Sequence, residues 1–134
     1  MTWQPREVLR TIPTLVPTST KPFHVVTDEG NGFLKMPDNP QGPSALVSEL
    51  IGTRLAEWFG LEVFHHAVIA VSMADLDPDS SQSEPVPAFI TLEEDGAPWE
   101  GSAQELRKVE NVADFSRIVV FDTWVGNFDR HSWT

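Results

Sequence analysis

The feature that most constrains this chain is one amphipathic segment, residues 44–60, with the sequence SALVSELIGTRLAEWFG. Its apolar residues recur every three or four positions, which is the spacing of an α-helix with one buried face. Pro43 suits the first turn of a helix, and Gly60 suits the position just past its end. The segment is therefore predicted to form a helix that packs against another layer. Its apolar positions are Leu46, Val47, Leu50, Ile51, Leu55, Trp58 and Phe59.

The segments on either side of this helix have the composition of β-strands. Before it, FHVVT and GFLKM flank the turn residues DEGN, and together they predict a hairpin over residues 23–36. After it, residues 61–73 and 86–94 are rich in Val, Ile and Phe, and each predicts a strand. A second amphipathic helix is predicted over residues 111–127. The predicted fold class is therefore α+β, built around an antiparallel sheet.

The remaining segments have the composition of loops. Residues 1–22 contain four prolines and predict an extended lead-in, with one short strand near the triplet TLV. Residues 74–85 predict an acidic surface loop, and residues 95–108 predict a loop with one helical turn. Asn111 or Asp114 is expected to cap the second helix. No linker divides the chain into two domains, so a single domain is predicted.

The charge of the chain excludes some classes of partner. It has 134 residues, of which 20 are acidic and 9 basic, for a net charge of −11. Nucleic acid is not an expected partner, because binding its backbone requires clustered Lys and Arg. A membrane is not expected either, since no run approaches the ~18 consecutive apolar residues of a span. With no secretion signal and no Cys, the default expectation is a cytoplasmic protein.

Two charged residues are candidates for binding a phosphate. Lys35 lies in the second strand of the predicted hairpin, and Glu49 lies at the flank of the apolar arc of the first helix. A lysine on a strand and a glutamate on the next helix form the pair that positions the lysine on the phosphates of ATP in kinases. The alternative is that Lys35 is solvated on an open sheet face and that Glu49 is an ordinary surface residue.

The last chemically distinctive stretch is NFDRHSW, residues 127–133. Asp129 follows the C-terminal end of the second predicted helix, where the helix dipole disfavours a negative charge. One explanation for its position is an ion pair with Arg130 in an ordinary tail. The other is that Asp129 serves to accept a proton. A zinc site is not expected, because adjacent His65 and His66 would face opposite sides of a strand.

Taken together, these stretches resemble the HipA-like kinases, a bacterial group related to serine/threonine kinases that includes toxin kinases. The resemblance covers TSTKPFHVVTDEGNGFLKMPDNPQGPSALVSELIGTRLAEWFGLEV, residues 18–63, and VVFDTWVGNFDRH, residues 119–131. In that family a strand lysine, a helix glutamate and an N-x-D-R motif follow one another in this order. The resemblance implies a kinase-like N-lobe with an antiparallel sheet and one main helix, followed by the first helix of a truncated C-lobe.

The resemblance also implies roles for individual residues. Lys35 would contact the phosphates of ATP, Glu49 would orient Lys35, and Asp129 would be the catalytic base. Asn127, Arg130 and His131 would support the catalytic loop. ATP and Mg²⁺ are the implied cofactors, and a Ser or Thr hydroxyl would be the acceptor.

The resemblance predicts one HipA-like kinase domain fragment, with an N-lobe over 1–95 and the start of a C-lobe over 96–134. The family's loop continues to metal-binding residues that are not evident before Thr134, so the metal ligands stay unassigned. The 134-residue chain is therefore expected to be inactive, or nearly so, alone. A protein substrate or a complementing C-lobe would be its partner. The alternative is a non-catalytic, kinase-like module that binds another protein.

Overall fold

The computed structural model describes residues 2–13, 22–38, 42–96 and 102–127. The chain forms two compact units. The first, called the sheet unit, contains Met1–Ile51 and Phe64–Glu94. The second, called the helical unit, contains Gly52–Val63 and Asp95–Thr134. Each unit is described separately below.

The described residues contain strands and helices in the order hairpin, helix, strand, strand, helix that the sequence predicts. A short helix, Ala103–Leu106, lies in the segment where one helical turn is predicted, and one strand and one further short helix were not predicted. The strands are β1 (Val8–Ile12), β2 (Phe23–Thr27), β3 (Gly30–Lys35), β4 (His66–Val71) and β5 (Val86–Leu92). The helices are α1 (Ser44–Trp58), α2 (Met73–Leu76), α3 (Ala103–Leu106) and α4 (Ala113–Val125). Among the described residues, no helix is long and apolar enough to cross a membrane.

All five strands belong to one antiparallel sheet with the order β1-β2-β3-β5-β4. This confirms the predicted α+β class and its antiparallel sheet. Strand β1 was not predicted, because its five residues lie within the proline-rich lead-in and contain little local alternation. The strand predicted near TLV, residues 14–16, lies outside the described residues.

The predicted hairpin is confirmed, with a tight turn at Asp28 and Glu29 between β2 and β3. Gly30 after the turn has a φ of 109°, a backbone conformation that favours glycine. The turn also binds the N-terminal segment, since Asp28 Oδ1 accepts hydrogen bonds from the backbone amides of Arg6 and Glu7 at 2.8 and 3.2 Å. These two bonds lower the pKa of Asp28, because they stabilise its carboxylate form.

The core of the sheet unit lies on one face of the sheet. Alternation along β3 sends Leu34 into this core, with none of its surface exposed, and Lys35 to the opposite face. The short helix α2 contacts β1 and contributes Leu76 to the same core. The buried cluster consists of Val25, Leu34, Met36, Ala67, Ile69, Val71, Leu76, Ala88 and Ile90. The core thus lies on one face of the sheet. The opposite face, which carries Lys35, contacts the N-terminal half of α1 through Glu49.

In the helical unit, α4 occupies most of the predicted second helix. The N-cap prediction was wrong: the cap is Val112, and Asn111 instead donates its side-chain amide to Asp114 at 2.9 Å. Phe121 is the buried residue of α4, and its ring lies 5.8 Å from that of Phe59. The helix ends at Gly126, whose φ of 70° is the left-handed conformation of a helix C-cap.

Candidate functional site

Lys35 ends strand β3 on the face of the sheet opposite the core. It is paired across the strands with Phe89 of β5, which is itself 4% exposed. The side chain of Lys35 is 23% exposed, so most of its surface is covered. Neighbouring Leu34 and Met36 are buried on the other face. The position of this lysine therefore follows directly from the alternation of a half-buried strand.

Glu49 reaches Lys35 from helix α1. The Lys35 Nζ donates to Glu49 Oε1 at 2.7 Å, a short charge-assisted hydrogen bond. Thus the structure brings together the two residues that the sequence singled out on a strand and on the next helix. An ammonium group has three N–H donors, and this contact uses one of them. The pair therefore holds the lysine in place without using up its capacity to bind an anion.

The second carboxylate oxygen of Glu49 is in an unusual state. Oε2 is buried and has no hydrogen-bond partner among the described residues. A buried acceptor without a partner costs about 1–3 kcal/mol, so such groups are rare and tend to mark functional sites. This cost is as large as, or larger than, the contribution of a partly exposed ion pair such as that of Glu49 with Lys35.

A stacked pair of aromatic rings lies on the same face as Lys35. His24 of β2 is paired with Phe33 of β3, and their rings stack with centroids 4.7 Å apart and planes 15° apart. Phe33 is two residues before Lys35 on the same strand, so both side chains project from one face. Phe33 is 36% exposed, and it is one of the larger apolar groups that this face presents to solvent.

Glu93, just after β5, reaches across the sheet to His24. Its Oε2 lies 3.0 Å from His24 Nε2, and its backbone amide donates to the carbonyl of Asn31 at 2.9 Å. The hydrogen bond from His24 lowers the pKa of Glu93, because it stabilises the carboxylate form. Strand alternation places Phe33 on the same side of the sheet as Lys35, and the structure agrees. Sequence reasoning missed the contact between His24 and Glu93, because nothing local connects these two residues.

The candidate catalytic loop is described only at its first residue. Asn127 follows the end of α4, and its side-chain amide donates to Asp122 Oδ1 at 3.2 Å. The other three predicted residues, Asp129, Arg130 and His131, lie outside the described residues. Their roles therefore stay predictions.

The described residues fit a nucleotide better than they fit a metal ion alone. Lys35 offers an oriented cation for phosphate oxygens in a chain whose net charge is −11. Within the described ranges, no cluster of three or more His, Cys, Asp or Glu side chains could hold a metal. A Mg²⁺ ion is often held by one or two carboxylates together with the phosphates of the substrate, so no ligand is assigned here.

The fold and the charged pair define a class of protein. An antiparallel sheet with a lysine on its third strand, bonded to a glutamate on the following helix, is the arrangement of a protein-kinase N-lobe. The sequence model of the HipA-like kinases matches residues 8–133, and the chain belongs to this family. No curated protein and no solved structure matches the chain. The family membership supports a kinase-related function.

Proposed function

We propose that this protein takes part in ATP-dependent transfer of the γ-phosphate to a Ser or Thr hydroxyl. The observation that carries the proposal is the 2.7 Å contact between Lys35 Nζ and Glu49 Oε1. Kinases require this strand-to-helix ion pair for activity, because it positions the lysine on the α- and β-phosphates. Membership of the HipA-like kinase family supports the same assignment.

In this proposal Lys35 binds phosphate oxygens and offsets part of their charge. Glu49 holds the ammonium group at one place, so less side-chain entropy is lost when a nucleotide binds. The strongly acidic chain would otherwise repel a polyphosphate, so a single oriented lysine has a large effect on binding. The bound nucleotide would thus be attached to the sheet unit by its phosphates.

The transfer step is assigned to residues near the C-terminus. Asp129 would accept the proton of the substrate hydroxyl, while Asn127, Arg130 and His131 would hold the loop that carries it. Bound Mg²⁺ would supply charge stabilisation at the β- and γ-phosphates. These roles are inferred from membership of the family and from the order in which these residues follow Lys35 and Glu49 along the chain.

Nucleotide binding can be tested by isothermal titration calorimetry with ATP, in the presence and absence of Mg²⁺. Lys35→Met should weaken binding by about tenfold or more, since a charged hydrogen bond contributes about 1.5–3 kcal/mol. Lys108→Met removes an exposed lysine of the helical unit and is the matched control, which should bind like the wild type. Equal affinity of the two variants would refute the role of Lys35.

The role of Asp129 can be tested with Asp129→Asn. General-base catalysis contributes about 10²–10⁴-fold, so in the presence of a complementing C-lobe and of Ser and Thr peptides the formation of ADP should fall by that factor. ATP binding should be unchanged, because the base contacts the acceptor hydroxyl rather than the nucleotide. Asp79→Asn, in the exposed loop after α2, is the matched control. Full activity of Asp129→Asn would remove the assignment.

The second candidate function is a non-catalytic module that binds another protein. The observation in its favour is the exposure of apolar residues on α4, where Val119, Val120 and Trp124 are 64%, 57% and 59% exposed. A folded chain that binds no ATP in the titration above would favour this function over the first.

A further inference from the structure

The helical unit contains a small cavity that the proposed function does not use. Its volume is about 170 Å³, and every residue that lines it belongs to this unit. Two of these residues, Ala56 and Phe121, are buried, so the cavity extends from the surface into the interior of the unit. The apolar part of its lining consists of Ala56, Leu61, Val63, Ile118 and Phe121.

The size of the cavity limits what it can hold. An apolar cavity of about 150 Å³ binds benzene, whereas pockets for drug-sized molecules have volumes of about 300–1,000 Å³. The cavity therefore has room for one compact hydrocarbon group and is too small for a nucleotide. Ala56 of α1 leaves this space open, because a larger apolar side chain at the same position would fill it.

The polar side chains that line the cavity offer hydrogen-bond acceptors. They are Glu62, Asn111 and Asp114, and the first two are exposed, so they lie at its mouth. Asn111 donates its side-chain amide to Asp114 Oδ2 at 2.9 Å, which leaves its carbonyl oxygen as an acceptor. The backbone amides of Leu61 and Asp114 are also engaged, in hydrogen bonds of 3.0 and 2.9 Å to backbone carbonyls. A ligand at the mouth would therefore need N–H donors.

The charge at the mouth favours a cation. The end of α1 and the start of α4 both lie at the cavity, and their opposite partial charges offset each other, so the side chains decide the sign. Glu62 and Asp114 bring two carboxylates. Arg117 approaches Asp114 Oδ1 to only 3.7 Å, is 57% exposed and does not line the cavity. An anionic ligand would be repelled here, in a chain whose net charge is −11.

The arrangement of these groups also decides how a ligand would enter. The apolar residues form the floor, and the acceptors lie at the mouth. A lysine side chain of another protein would enter with its ammonium group first and would place a charge against the apolar floor, which is costly. An ammonium group attached directly to a compact hydrocarbon group avoids this cost, since the hydrocarbon enters first and the charge stays beside Glu62.

We propose that this cavity binds a primary amine that carries one branched or aromatic hydrocarbon group, with its ammonium held by Glu62, Asn111 and Asp114. The inference does not depend on the proposed function, because neither Lys35 nor Glu49 lines the cavity. Two sources supply this chemistry: a free monoamine, and the N-terminal residue of a peptide that begins with an apolar side chain.

The test is an NMR titration of the ¹⁵N-labelled chain at neutral pH and constant ionic strength. The probes are 3-methylbutylamine, 3-methylbutanol and 3-methylbutanoate, which share one branched hydrocarbon group and carry a positive, neutral or negative polar group. The amides of Leu61 and Ile118 report on the cavity. The amides of Leu34 and Ile90, in the core of the sheet unit, report on non-specific binding.

Three variants separate the contributions to binding. Ala56→Leu fills the cavity, and Glu62→Gln removes a charge at its mouth while it keeps the shape of the side chain. Glu57→Gln is the matched control, because Glu57 is an exposed glutamate of the same unit that does not line the cavity.

We expect 3-methylbutylamine to bind with a Kd on the order of 1 mM, as is typical of a ligand with so few atoms, and the carboxylate not to bind. Glu62→Gln should weaken the amine by about twofold to fivefold, which corresponds to an exposed ion pair. Ala56→Leu should abolish binding, and Glu57→Gln should bind like the wild type. Leucyl-glycinamide that binds more tightly than the monoamine, and only without N-acetylation, would identify a peptide N-terminus as the source, and weaker binding would identify a free amine.

Three results would overturn the proposal. The first is that the wild type shows no shifts of the cavity amides well above the expected Kd. The second is that the carboxylate binds as tightly as the amine. The third is that a folded Ala56→Leu variant retains the affinity of the wild type. If Ala56→Leu does not fold, equal affinities of Glu62→Gln and Glu57→Gln for the amine would overturn it instead.

Discussion

The pair of Lys35 and Glu49 should be nearly dispensable for stability even though it is central to the proposed function. The side chains are 23% and 36% exposed, and a partly exposed ion pair contributes about 0.2–1 kcal/mol. Against this, the buried Oε2 of Glu49 has no partner in the described part of the chain, which costs about 1–3 kcal/mol. The net contribution of the two side chains to the free energy of unfolding is therefore expected to lie near zero or below it.

Two variants separate these contributions. Lys35→Met should lower the free energy of unfolding by about 1–3 kcal/mol, because it leaves both oxygens of Glu49 without a cation. The double variant Lys35→Met with Glu49→Leu should return to within about 1 kcal/mol of the wild type, or exceed it, since an apolar pair of similar size has no group to desolvate. Lys108→Met should change the same quantity by less than about 0.5 kcal/mol.

The assay is urea unfolding without nucleotide, followed by NMR signals of the Leu34 and Ile90 amides. These residues are paired between β3 and β5 in the core of the sheet unit, so they report the unit that contains the ion pair. A double variant that is as unstable as Lys35→Met alone would refute the reasoning. It would mean that the two side chains stabilise the fold by contacts other than their charges.

Three further predictions concern the sheet unit. Leu34→Ala should lower the free energy of unfolding by about 2–5 kcal/mol because Leu34 is fully buried, whereas Leu9→Ala, at a residue 57% exposed, should have little effect in the same urea assay. Gly32→Ala should cost about 1–3 kcal/mol, since the added Cβ would lie 2.7 Å from the carbonyl oxygen of Thr91; unchanged amide-exchange protection of β3 and β5 would argue against this. The lowered pKa of Asp28 contributes stability that is complete above its unfolded pKa of about 3.9 and is lost as the pH falls through the folded value. Asp28→Asn should therefore reduce the loss of stability between pH 5 and pH 2, measured by acid unfolding; an identical acid transition would contradict it.

The local features of the fold were predictable from the sequence because their signals are local. The hairpin follows from two β-rich runs around a turn, and α1 and α4 follow from apolar residues at helical spacing. Burial was less predictable than helix formation. Val47 and Ile51 belong to the apolar arc of α1, yet they are 57% and 53% exposed. An apolar arc shows which side of a helix could be buried, but the surface that covers it belongs to other parts of the chain.

In the candidate site, too, local features could be predicted from the sequence and long-range contacts could not. Lys35 and Glu49 could be paired from the sequence, because strand alternation and helical spacing each place one of them on a definite side of its element. The sequence by itself thus determined the hairpin, strands β4 and β5, the two long helices and the ion pair of Lys35 with Glu49. Only the tertiary structure decided that β5 lies beside β3, between it and β4, so that Glu93 reaches His24 across the strand that carries Phe33. The physical reason is that hydrogen bonding between strands distant in the chain depends on how the whole sheet assembles, and local periodicity contains no information about that order.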